Sequence, residues 1–166
     1  TSYAAPTVTD VAIGSLTAGS NVMSTWGDET IVVEGTNFGP LFDAKSICTP
    51  PNPGQILLEW SNHDDETCTT NNNCYSYKQS LSCIIGIAHT QVICKTVPGV
   101  GKEHRFKITV AGTTSKYISG KALRYHEPVI TGVKGPGAYE ADTKGGVKFY
   151  IEGNYFGPAT TLSDKI

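Results

Sequence analysis

The side chains with the most chemistry to offer are four histidines, His63, His89, His104 and His126, and the acidic run Asp64-Asp65-Glu66. A metal or a catalytic base needs ligands that converge, as two histidines do when they lie one helical turn apart around a glutamate. None of the four has that spacing, so each is expected to be a solvated or hydrogen-bonded surface group. Asp64, Asp65 and Glu66 lack the alternating ligands and central glycine of a calcium loop and read as a solvated acidic stretch. Gly99-Val100-Gly101-Lys102 resembles the end of a phosphate loop, but Glu103 follows the lysine and no helix is signalled. A turn is expected there. Glu34 and Glu152 stand at equivalent places in two copies of one motif, which separates them as an acid and base pair. No nucleophile with its base can be assembled. The sequence therefore predicts no catalytic residue, no metal ligand and no cofactor.

Five cysteines remain: Cys48, Cys68, Cys74, Cys83 and Cys94. Their spacing matches no zinc pattern of paired C-x-x-C, and disulfides formed in an oxidising compartment are the expectation. Cys68 and Cys74 can close the polar stretch around them, and Cys48 with either of them is also open. One cysteine is left over in every scheme. For Cys48 the readings are a buried free thiol or a bridge between subunits. Asn72-Asn73-Cys74 is a rare sequon variant that makes Asn72 a candidate glycosylation site, alongside exposed serines and threonines.

The whole chain narrows the classes further. Its 166 residues carry a formal charge of −2 and a pI near 6.0, which supplies no electropositive field for a phosphate backbone. Nucleic acid is excluded as an expected partner. No apolar run approaches the roughly 20 residues that cross a bilayer, and no signal-peptide pattern opens the chain. It reads as a mature or excised segment with no direct membrane insertion.

An internal repeat organises the rest. Residues 31–40, IVVEGTNFGP, return at 149–158 as FYIEGNYFGP. Glu34, Gly35, Phe38, Gly39 and Pro40 recur as Glu152, Gly153, Phe156, Gly157 and Pro158. Upstream, Pro6-Thr7-Val8-Thr9-Asp10-Val11 is matched by Pro128-Val129-Ile130-Thr131-Gly132-Val133. The expected organisation is one complete unit over residues 5–126 and the opening strands of a second over 127–166.

The elements that carry these motifs are strands. Ile31 and Val33, Ile56, Leu58 and Trp60, and Phe106, Ile108 and Val110 each recur at a spacing of two, which gives half-buried antiparallel strands with one dry face. Pro- and Gly-rich connections lie between them, and no window keeps a 3.6-residue period. The predicted fold class is all-β, an antiparallel β-sandwich. Gly35 and Gly39 flank an aromatic residue after a strand, where a missing Cβ allows a bulge or a positive φ. Phe38 is expected to fold back over the open end of the sandwich. Residues 61–80 are polar and without apolar rhythm, and form a long excursion.

Five blocks taken together resemble the IPT/TIG domains, the immunoglobulin-like modules of plexins, related receptors and some transcription factors. They are Pro6-x-Val8-x-x-Val11, the 35–40 turn, the 92–101 segment VICKTVPGVG, the late strand 106–110, and Leu123-Arg124-Tyr125 leading into the next Pro128. The resemblance implies an immunoglobulin-like sandwich that binds proteins or spaces tandem arrays. It also implies a disulfide between Cys83 and Cys94, worth about 3 kcal/mol if unstrained. The enlarged loop near 48–80 departs from the family pattern, and no binding residue is carried over.

The expected function is an extracellular or cell-surface structural or adhesive module, joined head to tail to copies of itself in a surface fibre or filament. Val147, Phe149 and Ile151 would then need a covering sheet supplied by the continuing chain or a neighbouring subunit. The alternative is a receptor-type ectodomain that binds a protein or glycan through the 48–80 loop. A glycan-binding accessory of an enzyme is a third, weaker class.

Overall fold

In a computed structural model the described residues are 4–17, 19–41, 56–62, 76–79, 83–118 and 121–159. Cys48, Cys68, Cys74, Asn72, His63 and the acidic run 64–66 lie outside them. The strands are β1 (Thr7–Ile13), β2 (Val22–Met23), β3 (Thr30–Thr36), β4 (Ile56–Ser61), β5 (Ser76–Gln79), β6 (Ile84–Ile87), β7 (Gln91–Lys95), β8 (Arg105–Val110), β9 (Thr113–Thr114), β10 (Arg124–Tyr125), β11 (Val129–Lys134) and β12 (Tyr150–Asn154). A 3-10 turn spans Pro136–Ala138.

Two four-stranded antiparallel sheets, β1-β3-β7-β6 and β5-β4-β8-β9, face each other. The two-residue strands β2 and β10 pair in parallel at the side. Val11, Ile31, Val33 and Val92 project from the first sheet, and Leu58, Trp60, Phe106 and Ile108 from the second, into one core. Alternation of this kind makes each strand half of a dry interior. The fold is the antiparallel β-sandwich that the strand pattern predicts, of the immunoglobulin-like kind that the resemblance implies.

Alternation is incomplete in the first sheet. Ala12 and Val32 point away from the core yet are buried. The 14–17 segment stands beside Val32 and, with Glu34 and Gln91, borders an open depression of about 270 Å³. The period of two gives a strand's inward face; it does not say whether a turn from elsewhere covers the outward one.

Beyond the sandwich, β11 and β12 form a separate hairpin that reproduces the β1–β3 pair. Val8 pairs with Gly35 and Asp10 with Glu34, with a bulge between; Ile130 pairs with Gly153 and Gly132 with Glu152, with the same bulge. Asn37 and Tyr155 share a positive φ of 63° and 61°, and Gly39 and Gly157 one of 95° and 94°. The likeness extends to a turn where no identity announces it. Ser24 Oγ accepts the amide of Trp26, as Asp142 Oδ1 accepts that of Lys144. Short polar side chains of either kind cap such turns.

What differs is the covering. Phe38 is 1% exposed and Phe156 52%. Val11, Ile31 and Val33 are buried, whereas their counterparts Val133, Phe149 and Ile151 are each about half exposed. Tyr150 and Ile130 are exposed on the same hairpin, Tyr150 on the face opposite Ile151.

Candidate functional site

Gly35 does not need a left-handed backbone, contrary to one reading of the motif. It needs the absence of a Cβ, which would meet the Thr7 carbonyl oxygen at 1.8 Å and Phe38 Cζ at 2.6 Å. The positive φ belongs to Asn37 and Gly39. That conformation turns the chain after β3 and drops the Phe38 ring into the core. The turn is tied to the β6–β7 connection: Phe38 donates its amide to the His89 carbonyl at 3.1 Å, and His89 donates to the Gly39 carbonyl at 2.6 Å. Pro40 closes the motif and Pro158 closes its copy.

Cys83 and Cys94 form a disulfide between the start of β6 and β7, with 4.1 Å between their Cα atoms. It pins the edge strand β6 beside the core, where both cysteines are buried.

The most elaborated polar cluster lies where the 97–101 loop closes one end of the sandwich. Trp60 stacks between Tyr77 and Phe106 at 5.9 and 5.6 Å. Tyr77, His104 and Tyr125 meet edge to face at 5.4–5.5 Å. Trp60 Nε1 donates to the Tyr125 hydroxyl, which donates in turn to the Val97 carbonyl. The Tyr77 hydroxyl accepts the Val100 amide at 2.8 Å and donates to the Val100 carbonyl at 3.0 Å. Gly99 lies so close to both tyrosines that a Cβ would come within 2.5 Å of Tyr125 and 2.7 Å of Tyr77. The loop is thus held by side chains on and beside the β5-β4-β8-β9 sheet and by Tyr125 of β10.

His104 corrects the expectation of surface histidines. Its side chain is fully buried. It lies two residues before Phe106, on the same dry face, and its backbone bridges to Leu123. Nε2 contacts the Val100 carbonyl at 3.0 Å; a carbonyl only accepts, so Nε2 carries the proton. Nδ1 has no hydrogen-bond partner among the described residues. Burial lowers the His104 pKa below its ordinary value, against the smaller opposing effect of the Val100 bond. Burial raises the Tyr125 pKa well above the usual phenol range. Asp10 is ion-paired to Lys121, whose hydrogen bond holds the carboxyl below its ordinary value.

His126 is exposed, but its ring stacks on Tyr155 of the hairpin at 4.5 Å and 16°. Glu152 pairs with Lys134 at 2.8 Å on the hairpin, while Glu34 borders the depression on the sandwich. The two glutamates are not brought together. Among the described residues no three His, Cys, Asp or Glu side chains converge as a metal site. No helix among them is long and apolar enough to cross a membrane.

Sequence reasoning missed the cluster around Val100. The signal was present, since His104 continues the period of Phe106 and Ile108, and Tyr125 closes the last block of the motif set. Tyr77 carried none, because it sits in a polar segment without apolar rhythm.

No curated protein and no solved structure matches the chain. A family model for the IPT/TIG domain matches residues 15–125, which contain the sandwich strands from β2 to β10, the disulfide and the clamped 97–101 loop. The chain belongs to the IPT/TIG domain family.

Proposed function

We propose that this chain is a structural module of an extracellular protein in which IPT/TIG-type sandwiches follow one another head to tail within a surface fibre or filament. Residues 5–126 form one complete unit and 127–166 begin the next. The observation that carries the reading is the β11–β12 hairpin. It keeps the register, bulge and positive-φ turn of β1–β3 while its would-be core face is about half exposed.

Such a face is costly to leave in water and is built to receive a second sheet. In the first unit the equivalent face receives β4 and β8. The chemistry that fits the hairpin is therefore a sheet bearing large apolar residues in the manner of Leu58, Trp60, Phe106 and Ile108. The Cys83–Cys94 disulfide favours an oxidising location outside the cell.

Electron microscopy of natively isolated material tests this reading. Regular fibres with an axial repeat matching one sandwich are the expected result. Monodisperse single particles at every concentration would overturn it.

A further inference from the structure

The 97–101 loop holds Val100 on a fixed backbone, and the Gly157 turn after the hairpin stands against it. If residue 157 had a Cβ, that atom would lie 2.3 Å from Val100 Cγ1. Gly39 has the same φ to within a degree, yet a Cβ there meets nothing within 4 Å among the described residues. Backbone conformation asks for glycine at both positions, and contact with the sandwich asks for it only at Gly157.

The neighbouring position tells the same story. Asn37 takes its positive φ readily, and its amide donates to the Ala5 carbonyl in the segment entering β1, at 3.0 Å. In the second copy a bulky Tyr155 takes that conformation, where a large side chain is an outlier. Its ring stacks on His126, in the segment entering β11. The clasp on the incoming chain is kept, while its chemistry changes from an amide to a stacked aromatic pair.

We propose that the 97–101 loop is the seat for a following repeat, recognising its positive-φ glycine turn through Val100 and fixing the angle between units with the His126–Tyr155 stack. The inference rests on reading 127–166 as a second repeat. The seat is rigid because Tyr77 and His104 hold the Val100 backbone from behind. It fits a turn in which glycine leaves room for an isopropyl group, and it refuses one that carries a Cβ. Positioning is thus set by shape.

Residual dipolar couplings on the whole chain test this. In the parent protein, couplings from strands β1–β9 and from β11 and β12 should fit one alignment tensor. Gly157→Ala should split them into two, whereas Gly39→Ala, with equal backbone strain, should leave one. Adding Val100→Ala to Gly157→Ala should restore one tensor, because the nearest remaining Val100 atom is then its Cβ at 3.8 Å.

Two tensors in the parent, or a single tensor in Gly157→Ala, overturns the proposal. Should Gly157→Ala erase the hairpin resonances, Tyr155→Asn decides: two tensors support the seat and one overturns it. A rigid joint without fibres would remove the filament reading and leave the seat. Fibres built from a chain with independent tensors would do the reverse.

Discussion

A Cβ on Gly35 would lie 2.6 Å from Phe38 Cζ, so the ring fills the space that the glycine leaves. Gly153 and Phe156 repeat the relationship at the same 2.6 Å. The motif is therefore a matched pair, in which an absent side chain lets strand β1 approach and a present one plugs the end of the sandwich. Spacing alone shows the pair; only the packing shows that one residue excludes a Cβ for the other.

Gly35→Ala should destabilise the sandwich by about 1–3 kcal/mol, because the new methyl meets the Thr7 carbonyl as well as the ring and cannot be absorbed by a rotamer change. A urea titration followed by Trp60 fluorescence reads the loss. Gly153→Ala makes the same clash with the Val129 carbonyl, at 2.0 Å, but inside the hairpin. It should leave the sandwich midpoint where it was, and equal shifts for the two variants would refute this account.

Truncating the rings separates the copies more sharply. Phe38→Ala removes a side chain that is 1% exposed and should cost about 3–5 kcal/mol. Phe156→Ala removes one that is half exposed, with an expected change within about 0.5 kcal/mol. On the proposed head-to-tail reading the second value should rise towards the first in assembled material, where a second sheet would cover that face. Equal small effects in both states would count against head-to-tail completion.

The Cys83–Cys94 bridge closes a sequence separation of 11 residues. Replacing both cysteines by alanine should lower stability by about 2–4 kcal/mol, mainly through the unfolded chain. A denaturant midpoint that does not move would show that the pairing of β6 with β7 is sufficient without the bond.

How much of this was legible beforehand depends on the kind of interaction. Strands β3, β4 and β8 follow from a period of two, and the likeness of the β11–β12 hairpin to β1–β3 from identities such as Phe38 and Phe156. Burial of Val32 on the outward face was hidden, because the 14–17 segment beside it follows β1 and not β3. The grip on Val100 was hidden for a related reason. Tyr77, His104 and Tyr125 lie on three different strands or their edges, and each is an ordinary residue in its own segment. Antiparallel pairing of β4 with β5 and β8 brings Tyr77 and His104 together, and the parallel β2–β10 pair with the His104–Leu123 bridge adds Tyr125.

His104 gives the clearest dependence on pH. In the unfolded chain its imidazole titrates near its ordinary value of 6.5, while in the folded protein burial lowers that value. Below about pH 6.5 the unfolded chain takes up a proton that the native site refuses, since a proton on Nδ1 would meet no acceptor among the described residues. This contribution to stability is complete above 6.5 and declines as the pH falls towards the lower native value, by at most about 1.4 kcal/mol per pH unit. His104→Phe keeps an aromatic ring among Tyr77, Tyr125 and Phe106 and removes the titration. Denaturation midpoints measured from pH 7.5 to 5 should therefore fall more steeply for the parent than for the variant. Parallel curves would mean that the buried imidazole does not control acid sensitivity. A steeper parent curve would tie the acid stability of the sandwich to the same side chain that holds Val100 in place.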